Sequence, residues 1–166
     1  MTFTDTHCHL ADPKLASTLP TVLAEAQAAG VARFIVPATS PKDWHSVAQL
    51  ERPSENIHIA LGIHPWFSDG LNETAFQELE KELIRHPQAW VGEIGLDFYG
   101  KEQTQAQRNT QTDVFIRQLT LAQHLNRRVI IHNLKATAAI AAAVKTAGFT
   151  QGGIVHAFSG SVEEAR

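Results

Sequence analysis

Short runs of β-branched and aliphatic residues alternate with stretches of helical period along the whole chain, and this alternation constrains the fold more than any other feature. Thr2 to His9 is the first run, bounded by Asp12-Pro13, and a helical stretch follows with Leu19, Val22, Leu23 and Ala26 on one face and Gly30 at its end. Arg33 to Ala38 is the second strand; Ser40-Pro41 then offers an N-cap and a first helical position for a helix using Trp44, Val47 and Leu50. Asn56 to Ile63 is the third strand, followed by a helix with Phe76, Leu79 and Leu83 that Pro87 stops. Ala89 to Ile94 is the fourth, with a long helix from Gln105 to Leu125 behind it. Arg128 to His132 is the fifth, an alanine-rich helix with Ile140 and Val144 closes at Gly148, and Gly153 to Phe158 is the sixth.

Strand-helix units of this kind connect by right-handed crossovers and give a parallel sheet covered by helices. Two architectures satisfy them: an open doubly wound sheet, and a (β/α)8 barrel, which needs two further units and ~250 residues. The 166 residues fall short of that barrel. Ser161-Val162-Glu163-Glu164 is a capping-box pattern that opens a helix only a turn before Arg166, so the chain is expected to be C-terminally incomplete. No repeat, low-complexity tract or linker divides it, which predicts one domain over 1–166.

Chemistry gathers at the strand ends. In Asp5-Thr6-His7-Cys8-His9, alternation along a strand places His7 and His9 on one face and Cys8 on the other. Such a pair is either half of a metal site or two partly exposed histidines at a strand end. Glu93, between Gly92 and Ile94-Gly95, is a carboxylate in apolar surroundings that needs a cation or a salt bridge. His132 ends the run Val129-Ile130-Ile131 and His156 falls late in Gly153-Ile154-Val155. Each alone is also readable as a hydrogen-bonded core histidine, yet all sit at carboxyl ends of parallel strands, where ligands collect in such folds. His64, before Pro65, is either a structural residue or a donor facing a ligand, and Asp97 either positions a ligand histidine or forms a turn. Trp66 and Phe67 either stack on an unpaired base or close the core. Cys8 is expected to be a buried, inert thiol, and His45, His58, His86 and His124 share no face with the cluster.

The formal charge of −3 excludes a broad basic field as the source of nucleic-acid affinity. No apolar run approaches the roughly 18 residues that span a bilayer, so no membrane partner is expected. One cysteine and the lack of a secretory leader point to the cytoplasm. Neither a glycine-rich phosphate loop nor a Gly-x-Ser-x-Gly elbow occurs, which leaves kinase, dinucleotide-binding and serine-hydrolase readings without support.

Five blocks in register, Asp5-Thr6-His7-Cys8-His9-Leu10, Gly62-Ile63-His64-Pro65, Gly92-Glu93-Ile94-Gly95-Leu96-Asp97, Val129-Ile130-Ile131-His132 and His156-Ala157-Phe158-Ser159-Gly160, resemble the successive motifs of the TatD-type metal-dependent hydrolases. The resemblance implies an α/β chain of TIM-type (β/α)8 architecture, here about six strands of the barrel, forming a single hydrolase domain. It implies two divalent metal ions (Zn, Mn, Mg or Co), with His7 and His9 on the first, Glu93 bridging, and His132 and His156 on the second. Glu93 and His64 are the expected catalytic groups. DNA is the implied substrate, cleaved at its phosphodiester bonds, with the metals rather than a lysine-rich surface neutralising the phosphate; no obligate protein partner is implied. The family's late metal-binding Asp has no counterpart here, and Asn133-Leu134-Lys135 and Arg127-Arg128 depart from its usual residues around the fifth strand. An amidohydrolase acting on a small amide, ester or lactone, and an inactive metal-binding fragment, are the rival readings.

Overall fold

A computed structural model describes residues 1–51, 56–100, 102–156, 158 and 160–165. Its elements are β1 (Phe3–Asp5), α1 (Leu19–Ala28), β2 (Val31–Pro37), α2 (Trp44–Gln49), β3 (Ile57–Leu61), α3 (Glu73–Arg85), β4 (Trp90–Asp97), α4 (Gln105–His124), β5 (Val129–Leu134), α5 (Thr137–Thr146) and β6 (Gly153–His156). The six strands lie side by side in the order β1-β2-β3-β4-β5-β6, and every neighbouring pair is parallel. A doubly wound sheet reverses its strand order at a switch point. This sheet progresses in one direction, as the wall of a (β/α) barrel does, and it curls far enough that the ring of His7, just past β1, stacks on that of His156 at the end of β6.

Strand alternation separates two apolar layers. Phe34, Val36, Ile59, Leu61, Val91, Leu96 and Ile131 face the helices and pack with Leu79, Leu83, Phe115, Leu119 and Ile140. Ile35, Ala60 and Ile130 point the other way, with Trp90 and Ile154 against them, and fill the concave side. The helical stripes read from the sequence supply the first layer: Phe76, Leu79 and Leu83 are the buried residues of α3, and Phe115, Leu119 and Ala122 lie in the buried stripe of α4.

Several boundaries differ from the sequence reading. β1 is three residues long, because the Asp5 Oδ1 accepts the His7 backbone N–H at 3.1 Å and turns the chain off the ladder. α2 starts at Trp44, not at Pro41. Asp43 competes for that end: its carboxylate accepts from the N–H groups of Thr39 (2.9 Å) and Ser40 (3.0 Å), which makes 39–43 a turn and leaves Ser40 without the capping role. β4 and β5 run on to Asp97 and Leu134, beyond the expected Ile94 and His132. The capping box of residues 161–164 forms, with Ser161 N–H donating to Glu164 Oε2 (2.8 Å) and Glu164 N–H to Ser161 Oγ (3.2 Å). Ala157 and Ser159 of the last sequence block lie outside the described residues.

Candidate metal centre

A cavity of about 300 Å³ opens at the carboxyl ends of the strands, and His7, His9, His64, Glu93, His132 and His156 all line it, together with Thr39, Trp66 and Phe67. Every strand contributes: His7 and His9 follow β1, Thr39 follows β2, His64 follows β3 and His156 ends β6, whereas Glu93 and His132 lie inside β4 and β5, short of the ends expected for them. The residues singled out from sequence therefore converge. His7 and His9 do so from a turn rather than from a continuing strand, and Cys8, as expected, points away, its thiol toward the Ile35 carbonyl.

Glycines make the close approach possible. Gly95 has φ +135°, and a Cβ there would lie 2.2 Å from the His132 carbonyl oxygen. A Cβ at Gly92 would stand 2.8 Å from that of Ile130. Only the smallest residue lets β4 lie this tightly on β5, which sets Glu93 beside His132. The Glu93 backbone N–H donates to the Ala38 carbonyl at 2.8 Å, fixing the carboxylate relative to the end of β2.

Glu93 divides its oxygens. Oε2 is 3.3 Å from His7 Nε2, which in turn is 3.2 Å from His9 Nε2. Oε1 is 3.0 Å from His132 Nδ1 and 3.8 Å from His64 Nε2. His156 stacks on His7, ring centroids 3.6 Å apart and planes 9° from parallel, with its centroid 6.3 Å from that of His132.

The donor set fits a divalent ion. One nitrogen each from His7 and His9 and one oxygen of Glu93 lie within 4.8 Å of one another. The 3.2 and 3.3 Å separations match the edge of about 3.3 Å that a tetrahedron with ~2.0–2.1 Å metal bonds requires. His7 Nδ1 is buried without a hydrogen-bond partner among the described residues, so the polar contacts of the ring are those of its Nε2. His64, Glu93 and His132 form a second such group by distance. The hydrogen bonding of His64 argues against its belonging there. Its Nδ1 accepts the Trp66 backbone N–H at 3.2 Å, so the neutral ring carries its proton on Nε2, the atom that faces Glu93. His64 is a donor at this mouth and offers the site no lone pair.

The electrostatics agree. Burial lowers the His64 pKa to about 4 against the pull of Glu93 and Asp97, which keeps the ring neutral. Burial pushes the Glu93 carboxyl up, but hydrogen bonds from His132 and His7, with the electrostatics of the facing imidazoles, outweigh it and hold the group well below the usual carboxylate range. Burial disfavours charge on His132, yet the hydrogen bond and charge of Glu93, with Asp97, raise its pKa. Burial and then the neighbouring His7 lower that of His156. Desolvation, with Asp5 nearby, pushes the Cys8 thiol up to about 12, the inert form expected.

Three residues of α4 and the β4 end support the mouth, and the sequence reading gave two of them no role. Asp97 Oδ2 lies 3.3 Å from His132 Nε2, so the carboxylate orients the imidazole from behind. The Asp97 backbone N–H donates to Gln111 Oε1 at 3.0 Å, and Gln118 bonds the backbone of Ile63, next to His64. Two glutamines seven apart, on the stripe that holds Phe115 and Leu119, are the signal: polar groups on a buried helix face must have partners. Thr39 on the cavity wall carries no comparable signal.

A one-directional parallel α/β sheet that brings buried imidazoles and carboxylates to one mouth is the wall of a barrel-type protein with a group of side chains that could hold a metal ion. The family model for TatD related DNase matches residues 4–166, and the chain belongs to this family. It is 33% identical over 165 residues to the uncharacterized metal-dependent hydrolase YjjV of Escherichia coli K12, covering 98% of this chain and 62% of the relative. It is 31% identical to the deoxyribonuclease TATDN3 of Homo sapiens, over 80% of this chain and 52% of that protein. The crystal structure of Escherichia coli YjjV superposes with a TM-score of 0.90 at 33% identity, covering 98% of this chain and 62% of the other. That of a TatD family hydrolase from Entamoeba histolytica, at 21% identity, gives 0.84 and shows the shared fold, over 99% and 60% of the two chains. The chain thus spans less than two thirds of the length of these relatives. No helix among the described residues is long and apolar enough to cross a membrane.

Proposed function

We propose that this chain carries the site of a divalent-metal-dependent hydrolase that cleaves phosphodiester bonds of DNA. The observation that carries the reading is the division of Glu93 between two sets of imidazoles, Oε2 toward His7 and His9 and Oε1 toward His132. One carboxylate serving two sides is what a pair of ions sharing a bridging ligand demands. The deoxyribonuclease name of the human relative supports a DNA substrate.

His7 and His9 with Glu93 would hold one ion, and Glu93 with His132 and His156 the other. Bound there, the ions supply Lewis acidity toward the phosphate and lower the pKa of water. Asp97 holds His132 in the tautomer that turns Nδ1 toward Glu93. His64, neutral and protonated on Nε2, is a hydrogen-bond donor for a phosphate oxygen in the cavity. Residues 1–166 act as one domain in this reading, since all six strands share one sheet and one mouth. The single thiol of Cys8, half-buried rather than fully buried as expected, supports a reducing compartment such as the cytoplasm.

The test is hydrolysis of an oligodeoxynucleotide by the chelated chain and by the chain supplied with Zn²⁺, Mn²⁺, Mg²⁺ or Co²⁺, beside small amide, ester and lactone substrates. Metal-restored cleavage of the oligonucleotide, lost in Glu93→Ala, is expected. Metal-restored turnover of the small substrates alone assigns an amidohydrolase, and turnover in EDTA removes the metal from the reaction.

A further inference from the structure

Trp66 is 71% exposed and belongs to neither apolar core among the described residues. A singly exposed aromatic residue needs no explanation by itself. This one is pinned. Its backbone N–H donates to His64 Nδ1 (3.2 Å), its Nε1–H donates to Asp97 Oδ2 (2.7 Å), and its ring meets the His64 ring edge-on at 4.9 Å. Asp97 is itself buried and immobilised: its backbone N–H donates to Gln111, its Oδ1 accepts from the Tyr99 N–H (3.1 Å), and the oxygen that holds the indole also faces His132 Nε2.

The consequence is chemical. With its one N–H already committed to a carboxylate, Trp66 has only its ring surface to offer a ligand, and the residue lines the cavity that Glu93 and His132 also line. A phosphate or a deoxyribose gains little from such a face. A nucleobase gains a stacking surface, worth ~5- to 150-fold in affinity where such platforms are truncated. Phe67, 45% exposed on the same wall, extends the apolar surface.

We infer that Trp66 is a substrate-binding residue, a platform on which the base flanking the scissile phosphate stacks, and that Asp97 is a positioning residue that sets this platform in register with His132. The inference rests on the nuclease reading and adds to it that the flanking base enters out of the helical stack, as an unpaired or extruded nucleotide.

The experiment compares binding of two labelled hexamers to the whole chain in EDTA, by fluorescence anisotropy: hexathymidylate, and a hexamer with the same phosphates but abasic tetrahydrofuran residues. The wild-type chain is expected to prefer the thymidylate. Trp66→Ala, at an exposed position that spares folding, lowers that preference ~5- to 150-fold and leaves the abasic affinity unchanged. Trp66→Phe, which keeps a ring without the N–H, retains part of the preference. Asp97→Ala lowers it, and Asp97→Asn, whose carbonyl oxygen still accepts from the indole, restores it. An unchanged preference in Trp66→Ala, or equal losses for both hexamers, overturns the platform. Metal-dependent cleavage of hexathymidylate by the wild type separates the two readings: cleavage with no base preference sinks the platform alone, preference without cleavage sinks the nuclease reading alone, and neither binding nor cleavage sinks both.

Discussion

Gln118 closes on both polar atoms of one peptide unit: its Oε1 accepts the Ile63 N–H at 2.8 Å and its Nε2 donates to the Ile63 carbonyl at 3.0 Å. The side chain is fully buried, and the residue it holds precedes His64. Gln118→Leu keeps the volume and strands both backbone groups in an apolar layer. A loss of about 2–4 kcal/mol is expected, read as a lower urea midpoint with an unchanged slope. A loss below about 1 kcal/mol would show that water reaches Ile63 once the amide is gone.

Metal binding should stabilise the fold through Glu93. At a free metal concentration of 100 Kd the gain is about 2.7 kcal/mol, or about 5–10 °C in melting temperature for a domain of this size. Glu93→Ala is expected to abolish that shift, and EDTA to reverse it in the wild type. Differential scanning fluorimetry across a metal titration measures both; a full shift in Glu93→Ala would place the ion elsewhere.

The metal-free protein should lose stability on mild acidification, and His64 is the reason. Its pKa is about 4 in the fold against 6.5 in the unfolded chain. The unfolded chain therefore binds more protons between those values, so the stability from keeping the ring neutral is complete above pH 6.5 and is lost as pH falls toward 4. From pH 7 to 4.5 this comes to about 2.5 kcal/mol. The depressed Glu93 carboxyl adds a loss only below the ordinary carboxylate range, as pH falls through its folded value. His132, raised in the fold, acts oppositely: its contribution is complete below 6.5 and is lost as pH rises through its folded value. Urea unfolding in EDTA at pH 7 and 4.5 should show a smaller difference in His64→Asn than in the wild type, and an equal one would disprove the assignment.

Gly95→Ala should cost more than any other single methyl added to the mouth. Its Cβ would overlap the His132 carbonyl oxygen at 2.2 Å, at a φ of +135° that L-residues avoid. At least about 3 kcal/mol of destabilisation is expected, along with loss of the metal-induced melting shift because β5 must move away from Glu93. Retention of both would mean the two strands part without disturbing the site.

Much of this was legible before any coordinates. The β-branched runs marked all six strands, and the 3.6-residue stripes marked Leu79, Leu83, Phe115 and Leu119, because burial on one face imposes those periods regardless of topology. The line of His7, His9, Glu93, His132 and His156 was legible because parallel strands bring their carboxyl ends to one side. What escaped depends on competition between neighbours or on curvature. Asp5 ended β1 early and Asp43 displaced the start of α2, each by taking backbone N–H groups that a propensity reading gives to the strand or helix. The choice between core and mouth for Trp66 turned on Asp97, 31 residues away, and no local pattern encodes that contact. The stack of His156 on His7 needs the bend of the whole sheet, to which every strand adds its own twist.

That stack has a mechanical meaning. β1 and β6 stand at opposite ends of the order β1 to β6 and share no backbone ladder among the described residues, yet the ring of His7, just past β1, stacks on that of His156 at the end of β6. The mouth is a clasp. Any ligand that engages both rings ties the ends of a loop running from residue 7 to residue 156, and removes from the opened chain the freedom to let its edges drift apart. A ligand held by both rings would favour the curled wall, and flattening the wall would by the same linkage weaken its hold.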